Sequence, residues 1–259
     1  MHVVDLNADL GESFGAYTIG DDGAMLDIIS SANVACGFHG GDALVMHDTL
    51  ALAKEKGVAI GAHPGFQDLW GFGRRPIQGE KPSDIEKQLV YQLGAILGVA
   101  KAVGVSVGHF KVHGALNNMA CVDADLAMAT ARALKSVDPD LIYLVMPGSE
   151  MEKAGEKLGL NIAREIFADR AYEDTGMLVS RKLPGAMIED TDEAARRMVD
   201  FVTNGIVESV NGKRMPVAID SICVHGDNPH AVATARKVRA ALEAAGVTIR
   251  PMVESLRAG

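Results

Sequence analysis

The sequence has few cysteines, few aromatic residues and no long apolar run. Its three cysteines, Cys36, Cys121 and Cys223, are odd in number and form no C-x-x-C pair, which argues against a disulfide framework and against a zinc knuckle. No window approaches the roughly 18 consecutive apolar residues of a membrane span. We therefore expect no membrane association, three small buried thiols, and a reducing compartment such as the cytoplasm.

Basic residues are also scarce. The formal net charge is -9, and a protein that binds nucleic acid without specificity needs a basic face to release counterions. We expect no nucleic-acid partner. Aromatic residues make up only 5% of the chain although 48% is hydrophobic, so the apolar mass is mainly aliphatic. That composition is typical of helices packed on a parallel sheet.

Apolar segments alternate with helical patterns along the whole chain. The pattern predicts an α/β protein with a single domain over residues 1–259, in which about seven parallel strands form a (β/α) barrel-like fold. An open doubly wound sheet is the alternative, because a sequence does not show closure. The predicted strands are Val3–Asp9, Ala32–Phe38, Val58–Ala62, Ser106–Val112, Leu141–Met146, Ile162–Phe167 and Ala218–Val224.

Capping residues predict several helix boundaries. Asp42 precedes a helical pattern over Ala43–Lys56, which ends at Gly57, a residue suited to a left-handed C-terminal position. Ser83–Glu86 matches a capping box at the start of a helix that runs to Val103. Between them, Pro64–Pro82 has no periodicity, which is typical of a lid or binding loop.

Four apolar segments end at a histidine that is followed by a strand-breaking residue. These four histidines are His39, His63, His113 and His225. A single buried histidine is most often a hydrogen-bonded core residue, but the ends of parallel strands meet at one edge, so four of them predict a shared polar site. His47 lies within a helical pattern, so we expect it to be solvated or to have a packing role, and His109 lies within a strand, so we expect it to be a hydrogen-bonded core residue.

Other polar residues lie at the same predicted strand ends. They are Asp9, Glu12, Asp42, Lys111, Glu165, Asp169 and Asp227. Asp42 is expected to act mainly as a helix cap, and the glycines Gly40 and Gly41 to leave room for a ligand.

Three chemistries fit such a site. In the first, Asp9, His39 and His63 hold a divalent metal that activates water. In the second, Ser13 is a nucleophile, because Gly11–Gly15 matches G-x-S-x-G, although no helix follows directly as a nucleophile elbow requires. In the third, Asp9 or His63 activates water without a metal, and Lys111 or His113 stabilises the developing oxyanion. No Walker A motif is present.

Seven stretches together resemble the LamB/YcsF family, the A subunits of bacterial 5-oxoprolinases. They are Asp5–Glu12, Ser31–Asp42, Gly61–Asp68, Gly71–Arg75, Lys111–Asn117, Glu165–Tyr172 and Val224–Asp227. This sequence departs from the family's Lys-Pro-His-Gly-Ala-Leu-Tyr-Asn motif at two positions, where Val112 replaces the proline and Asn117 replaces the tyrosine.

The resemblance implies a barrel related to glycoside hydrolases and polysaccharide deacetylases. It also implies ATP-dependent opening of the 5-oxoproline lactam to glutamate, with ATP and Mg²⁺ bound here or on partner B and C subunits. A homo-oligomer is left open. The alternatives are a metal-dependent, deacetylase-like amidohydrolase and a non-catalytic lactam-binding subunit.

Site roles follow as a hypothesis for this reaction. Asp9 or His63 deprotonates water, and Lys111 with His113 neutralises phosphate or oxyanion charge. The expected substrate-binding residues are Glu12, His39, Arg74, His225 and Asp227.

Overall fold

The computed structural model describes residues 2–225 and 230–256, which contain ten strands and nine helices. The strands are β1 Val3–Leu10, β2 Ser31–Ala35, β3 Ala59–His63, β4 Val107–Phe110, β5 Ile142–Val145, β6 Ile162–Phe167, β7 Ile206–Glu208, β8 Arg214–Pro216, β9 Ser221–Cys223 and β10 Thr248–Ile249. The helices are α1 Asp22–Leu26, α2 Ala43–Lys56, α3 Pro82–Val103, α4 Gly114–Ala120, α5 Ala124–Val137, α6 Glu150–Leu158, α7 Thr191–Asn204, α8 Ala231–Ala244 and α9 Met252–Ser255.

Seven parallel strands close into a barrel in the order β1-β2-β3-β4-β5-β6-β9. Closure is made by β1 and β9, which pair in parallel with Asp5 opposite Ser221 and Asn7 opposite Cys223. The predicted barrel is therefore confirmed, and the open sheet is excluded. The short β10 pairs with the start of β1, and β7 and β8 form a separate antiparallel hairpin.

Most predicted helix boundaries follow from local capping. The carboxylate of Asp42 accepts hydrogen bonds from the backbone N–H groups of Leu44 and Val45, and Gly57 ends α2 with φ 68°. The capping box at Ser83 is wrong, because α3 begins one residue earlier at Pro82 and its N-cap, Lys81, makes no side-chain cap. Proline suits the first turn of a helix because its missing N–H would have no partner there.

Two short features were missed by periodicity. Helix α4 follows His113 directly, and β7 and β8 form a hairpin that turns at residues 209–213. Elements this short contain too few residues to establish a period. For the same reason the predicted strand over Ala218–Val224 is wrong at its start, since β9 begins only at Ser221.

The interior of the barrel is polar where β1, β2 and β9 meet. Asp5 is buried and accepts hydrogen bonds from the hydroxyl groups of Ser30, Ser31 and Ser221 at 2.5 to 2.7 Å. Alternate β1 residues, such as Leu6 and Leu10, belong to the main hydrophobic core, as the two-residue period of a strand requires. The strand therefore separates a polar interior from an apolar helix-facing surface.

The remaining sequence expectations about the core hold for the described residues. Cys36, Cys121 and Cys223 are free thiols and all three are buried. Across residues 2–225 and 230–256, none of the helices combines the length and the apolar character needed to cross a membrane.

Asp5 predicts a pH-dependent stability. Burial raises the pKa of Asp5 to about 6, against the opposing effect of its three serine hydroxyls. In the unfolded chain the ordinary pKa is 3.8, so between these values the folded state binds more protons and stability falls as the pH rises. Relative to Asp5→Asn, we expect the wild type to lose about 2 kcal/mol of unfolding free energy between pH 4 and pH 7.

Urea unfolding of both proteins across that range measures this difference, because the other titrating groups are shared. A difference that stays constant with pH would mean that Asp5 titrates alike in the folded and unfolded chains.

Gly61 predicts a steric limit inside the barrel. A Cβ at this β3 position would lie 2.0 Å from Nε2 of the buried His109 ring, so Gly61→Ala should destabilise the protein by about 1–3 kcal/mol or more. Gly94 provides the control, since it lies within α3 and its Cβ would meet no atom within 4 Å. Gly94→Ala should stabilise by about 0.5–1 kcal/mol. Equal effects in denaturant unfolding would contradict this packing.

Candidate active site

The carboxyl ends of the barrel strands open into a cavity of about 580 Å³. Six of the predicted site residues line it, namely Asp9, His63, Arg74, Lys111, His113 and His225. Glu12 and His39 are buried, and both contact His113, which is one of the lining residues. The remaining predicted residue, Asp227, lies outside the described residues. Strand topology thus brings eight of the nine predicted side chains into one region.

A buried ion cluster forms between the barrel interior and the cavity. The Lys111 ammonium lies 3.1 Å from Asp9 Oδ1 and 2.8 Å from Glu165 Oε1, and it also donates to the side-chain oxygen of Asn7 at 3.3 Å. Burial lowers the pKa of Lys111, but the negative charges of Asp9 and Glu165 outweigh burial and hold it well above its ordinary value. Cys223 Sγ is a fourth neighbour at 3.1 Å, so the three N–H donors of this ammonium are saturated by the groups around it.

Asp9 remains ionised because of the same cluster. Burial raises its pKa, but His63 and Lys111 outweigh burial and hold the pKa well below its ordinary value. Asn33 adds a hydrogen bond to Asp9 Oδ1 at 2.9 Å, and His63 Nε2 lies 3.3 Å from Asp9 Oδ2. The cavity therefore contains a carboxylate that can accept a proton.

The rings of His63 and His113 are oriented by two backbone carbonyl groups. His63 Nδ1 lies 2.9 Å from the carbonyl oxygen of Lys111, and His113 Nε2 lies 2.8 Å from that of Phe72. A carbonyl oxygen only accepts, so each of these nitrogens carries a proton. The other nitrogens, His63 Nε2 and His113 Nδ1, face each other at 3.0 Å.

Glu12 and His39 complete the histidine cluster. His39 Nε2 lies 3.0 Å from Glu12 Oε1, and the His39 ring stacks on the His113 ring with a centroid distance of 3.7 Å. Burial, together with neighbouring histidines, lowers the pKa of both His39 and His113 well below the ordinary value. Both rings are therefore neutral at pH 7.

Glycines allow loop backbone to pack directly on this cluster. A Cβ at Gly73 would lie 2.6 Å from the Cβ of His39, and one at Gly65 would lie 2.9 Å from His39 Nδ1. The expectation that Gly40 and Gly41 make room for a ligand needs correction. Their Cβ positions lie 3.0 and 2.7 Å from backbone oxygens of residues 12 and 11, so these glycines admit the β1–α1 loop instead.

The predicted lid loop forms part of the cavity wall. Asp68 is buried and accepts hydrogen bonds from the backbone N–H of Gly71 and from the Arg75 guanidinium. This closed turn places Arg74 on the cavity and over the Phe72 ring at 5.0 Å. Trp70 is 96% exposed, so the single tryptophan lies on the outer surface of the loop.

A second wall of the cavity pairs a histidine with an acid and an arginine. His225 Nδ1 lies 2.8 Å from Asp169, and Arg181 donates to His225 Nε2 at 3.1 Å. Burial raises the pKa of Asp169, but His225 and the nearby arginines outweigh burial and hold it below its ordinary value. Arg170 also lines the cavity, and its buried Nε has no hydrogen-bond partner within the described structure.

The serine of the G-x-S-x-G match has a structural environment. Ser13 Oγ accepts from the backbone N–H of Ile19 and donates to the Ile19 carbonyl, so it closes a local turn. Among the residues that the structure describes, no histidine contacts this hydroxyl, and Ser13 does not line the cavity. The geometry does not support Ser13 as a nucleophile.

Sequence reasoning missed Asn7, Asn33 and Arg181. Asn7 and Asn33 have side chains that hydrogen-bond to each other and to the ion cluster. A signal was present for Asn7, because Asp5, Asn7 and Asp9 are polar at every second position of an otherwise apolar strand. Such a period predicts a polar face on the strand. Arg181 lies in an aperiodic loop and gave no signal.

The chain is similar to one protein family and to curated members of it over nearly its whole length. Residues 4–257 match the model of the LamB/YcsF family. A protein of Rhodopseudomonas palustris (strain BisB18), named as the A subunit of 5-oxoprolinase, is 53% identical over 251 residues, covering 97% of this chain and 98% of the relative. Its namesake from Gluconobacter oxydans (strain 621H) is 53% identical over 249 residues, covering 96% and 98%.

Solved structures agree on the fold. The lactam utilization protein from Thermus thermophilus superposes with a TM-score of 0.90 at 46% identity, covering 96% of this chain and 99% of that one. A family 4 carbohydrate esterase from Streptomyces lividans has a TM-score of 0.51 at 10% identity, covering 96% and 91%. The second similarity is one of fold alone.

The ion cluster predicts a large stability cost for losing its cation. Lys111→Met leaves Asp9 and Glu165 buried without their shared ammonium, so we expect a loss of about 3–5 kcal/mol in unfolding free energy at pH 7. Lys101→Met is the matched control, because Lys101 is exposed in α3 and its replacement should cost no more than about 0.5 kcal/mol. Urea unfolding measures both. A cost below about 1 kcal/mol for Lys111→Met would mean that the cluster is not a stabilising unit.

Proposed function

The chain belongs to the LamB/YcsF family, and from this membership and the geometry of the cavity we propose that it is the lactam-binding, ring-opening subunit of an ATP-dependent 5-oxoprolinase. The observation that carries the proposal is a cavity that combines the ionised Asp9 with a cationic wall. Among the described residues, four cationic side chains line it besides Lys111, namely Arg74, Arg170, Arg181 and Lys182. In a chain of net charge -9, this concentration of positive charge favours a small anionic substrate.

The cationic wall fits the anionic groups of the proposed reaction. The substrate, 5-oxoproline, carries a carboxylate, and its activated form would also carry a phosphoryl group. Guanidinium groups bind both groups through paired N–H donors. Arg170 Nε has no hydrogen-bond partner among residues 2–225 and 230–256 and is a suitable donor, since a buried N–H without an acceptor costs free energy that an anionic ligand would recover.

Asp9 is the proposed general base. A γ-lactam is an unstrained amide, so coupling to ATP serves to activate its carbonyl group. In the proposed sequence the lactam oxygen attacks the γ-phosphorus of ATP and releases ADP. Water then adds to the ring carbon while its proton passes to Asp9. The C–N bond breaks as the ring nitrogen gains a proton, and a second water converts the resulting acyl phosphate to glutamate and phosphate.

Lys111 supports this role by holding Asp9 ionised. The sequence hypothesis gave Lys111 and His113 the neutralisation of phosphate or oxyanion charge. The three oxygen partners of Lys111 favour a positioning role instead, and Arg74, Arg170 and Arg181 are better placed to meet an anion. His113 keeps its Nε2 proton on a backbone carbonyl, which leaves only its Nδ1 for other contacts.

The proposal includes partner subunits. The relatives are named as subunits of 5-oxoprolinase, and we take the B and C subunits of such an assembly as the partners of this chain. ATP with Mg²⁺ must reach the lactam oxygen in the cavity, whether this chain or a partner holds the nucleotide. The free, buried thiols are consistent with a cytoplasmic assembly.

Asp9→Asn tests the assignment in the reconstituted assembly. The variant and the wild type are each mixed with the partner subunits, 5-oxoproline, ATP and Mg²⁺, and glutamate and ADP are measured. We expect glutamate formation to fall by about 10²–10⁴-fold, the usual contribution of a general base, while calorimetry shows nearly unchanged lactam binding. Asp48→Asn is the control, because Asp48 is an exposed carboxylate on α2.

Each alternative function has a distinct outcome. Full turnover by Asp9→Asn with intact lactam binding would indicate a binding subunit whose partners perform the chemistry. Glutamate formation by the chain alone without ATP would indicate a deacetylase-like amidohydrolase. Failure of the wild type to bind or turn over 5-oxoproline in the complete assembly would overturn the proposal.

A further inference from the structure

The facing nitrogens of His63 and His113 create an electrostatic problem. When both rings are neutral, Nδ1 of His63 and Nε2 of His113 carry the protons because each contacts a carbonyl oxygen, and the lone pairs of the other two nitrogens face each other across 3.0 Å. Two carboxylate oxygens lie beside these nitrogens, since Glu12 Oε1 is 3.5 Å from His113 Nδ1 and Asp9 Oδ2 is 3.3 Å from His63 Nε2. Buried acceptors that face one another repel unless a cation lies between them.

The spacing of these atoms matches a metal coordination shell. Ligands held at the usual zinc–nitrogen and zinc–oxygen distances in a tetrahedron are about 3.3 Å apart. The separations here are 3.0 Å between the two histidine nitrogens and 3.5 Å between His113 Nδ1 and Glu12 Oε1. The two rings are nearly perpendicular, at 86°, so their lone pairs can converge on one point from different directions.

His39 does not belong to the inner ligand set. Its ring is parallel to that of His113, with an interplanar angle of 1° and a centroid distance of 3.7 Å. A histidine nitrogen binds a metal close to its ring plane, and one ion cannot lie in two parallel, stacked planes. His39 Nε2 instead donates to Glu12 Oε1, which is how outer residues orient a carboxylate ligand.

We propose that Glu12, His63 and His113 bind one divalent transition-metal ion of the zinc type, with His39 orienting Glu12. This set differs from the triad Asp9, His39 and His63 expected from the sequence. Two histidines and one carboxylate are a common ligand set of catalytic zinc. His63 and His113 line the cavity, so a metal held by them would be within reach of a small molecule bound there.

The neighbouring donor set is a poorer site for a cation. Asp9, Cys223 and His225 also bring ligand atoms together, but the Lys111 ammonium lies 3.1 Å from Asp9 Oδ1 and 3.1 Å from Cys223 Sγ. A metal there would be repelled by this charge. The lysine therefore directs a metal ion to the histidine side of Asp9.

The metal site does not rest on the oxoprolinase assignment, because its test needs neither lactam nor ATP. Wild-type protein is treated with a chelator, desalted, and titrated with Zn²⁺ by calorimetry and with Co²⁺ by visible absorption. We expect one equivalent of each metal to bind, with Co²⁺ bands of low coordination number. His113→Gln should lose stoichiometric binding, and His39→Gln should bind about 10–100-fold more weakly with the same Co²⁺ bands.

His47→Gln is the control, since His47 is an exposed histidine on α2, and it should bind as the wild type does. If His113→Gln does not fold by circular dichroism, Glu12→Gln provides a closely isosteric second test and should also weaken binding. Wild-type protein that binds less than one equivalent, or ligand variants that bind equally well, would overturn the proposal. The two histidines would then share a proton in place of a metal.

Discussion

The buried contact between the Lys111 ammonium and the carboxylates of Asp9 and Glu165 is the interaction on which the rest of the site depends. These groups come from the end of β4, from β1 and from β6, so one cation links strands that are distant in sequence. Burying a charge is costly unless it is paired. The barrel strands thus have to pair in one specific register, because any other register would leave buried charges unpaired. The same register places Asp9 on the cavity.

Hydrogen bonds extend this ion cluster in two directions, towards the buried Asp5 and towards the cavity. Asn7 and Asn33 connect it to His109 and to the serine layer around Asp5. His63 connects it to the histidine cluster on the cavity side. A chain of polar contacts therefore runs along the barrel axis, surrounded by the aliphatic core between strands and helices. A change at its buried end can alter the electrostatics of the cavity without contacting a ligand.

Much of this arrangement could be predicted from the sequence. Parallel strands put their carboxyl ends on one edge, so Asp9, His63, Lys111, His113 and His225 could be grouped before any contact was known. Caps such as Asp42 and Gly57 follow from local chemistry that needs no tertiary information. What could not be predicted was pairing within the group, because ring orientation depends on which carbonyl each nitrogen meets. The proposal that His39 lies outside the metal-ligand set rests on the angle between the His39 and His113 rings, which no sequence pattern contains.

Closure by β1 and β9 also constrains how the chain can be made. The first strand of the barrel, β1, pairs with β9, which lies more than 200 residues later in the sequence. Until β9 leaves the ribosome, β1 and β6 each present an unpaired edge, and such edges invite pairing with other chains. The synthesis of the second half of the chain is therefore the interval in which these strand edges are open to pairing with other chains.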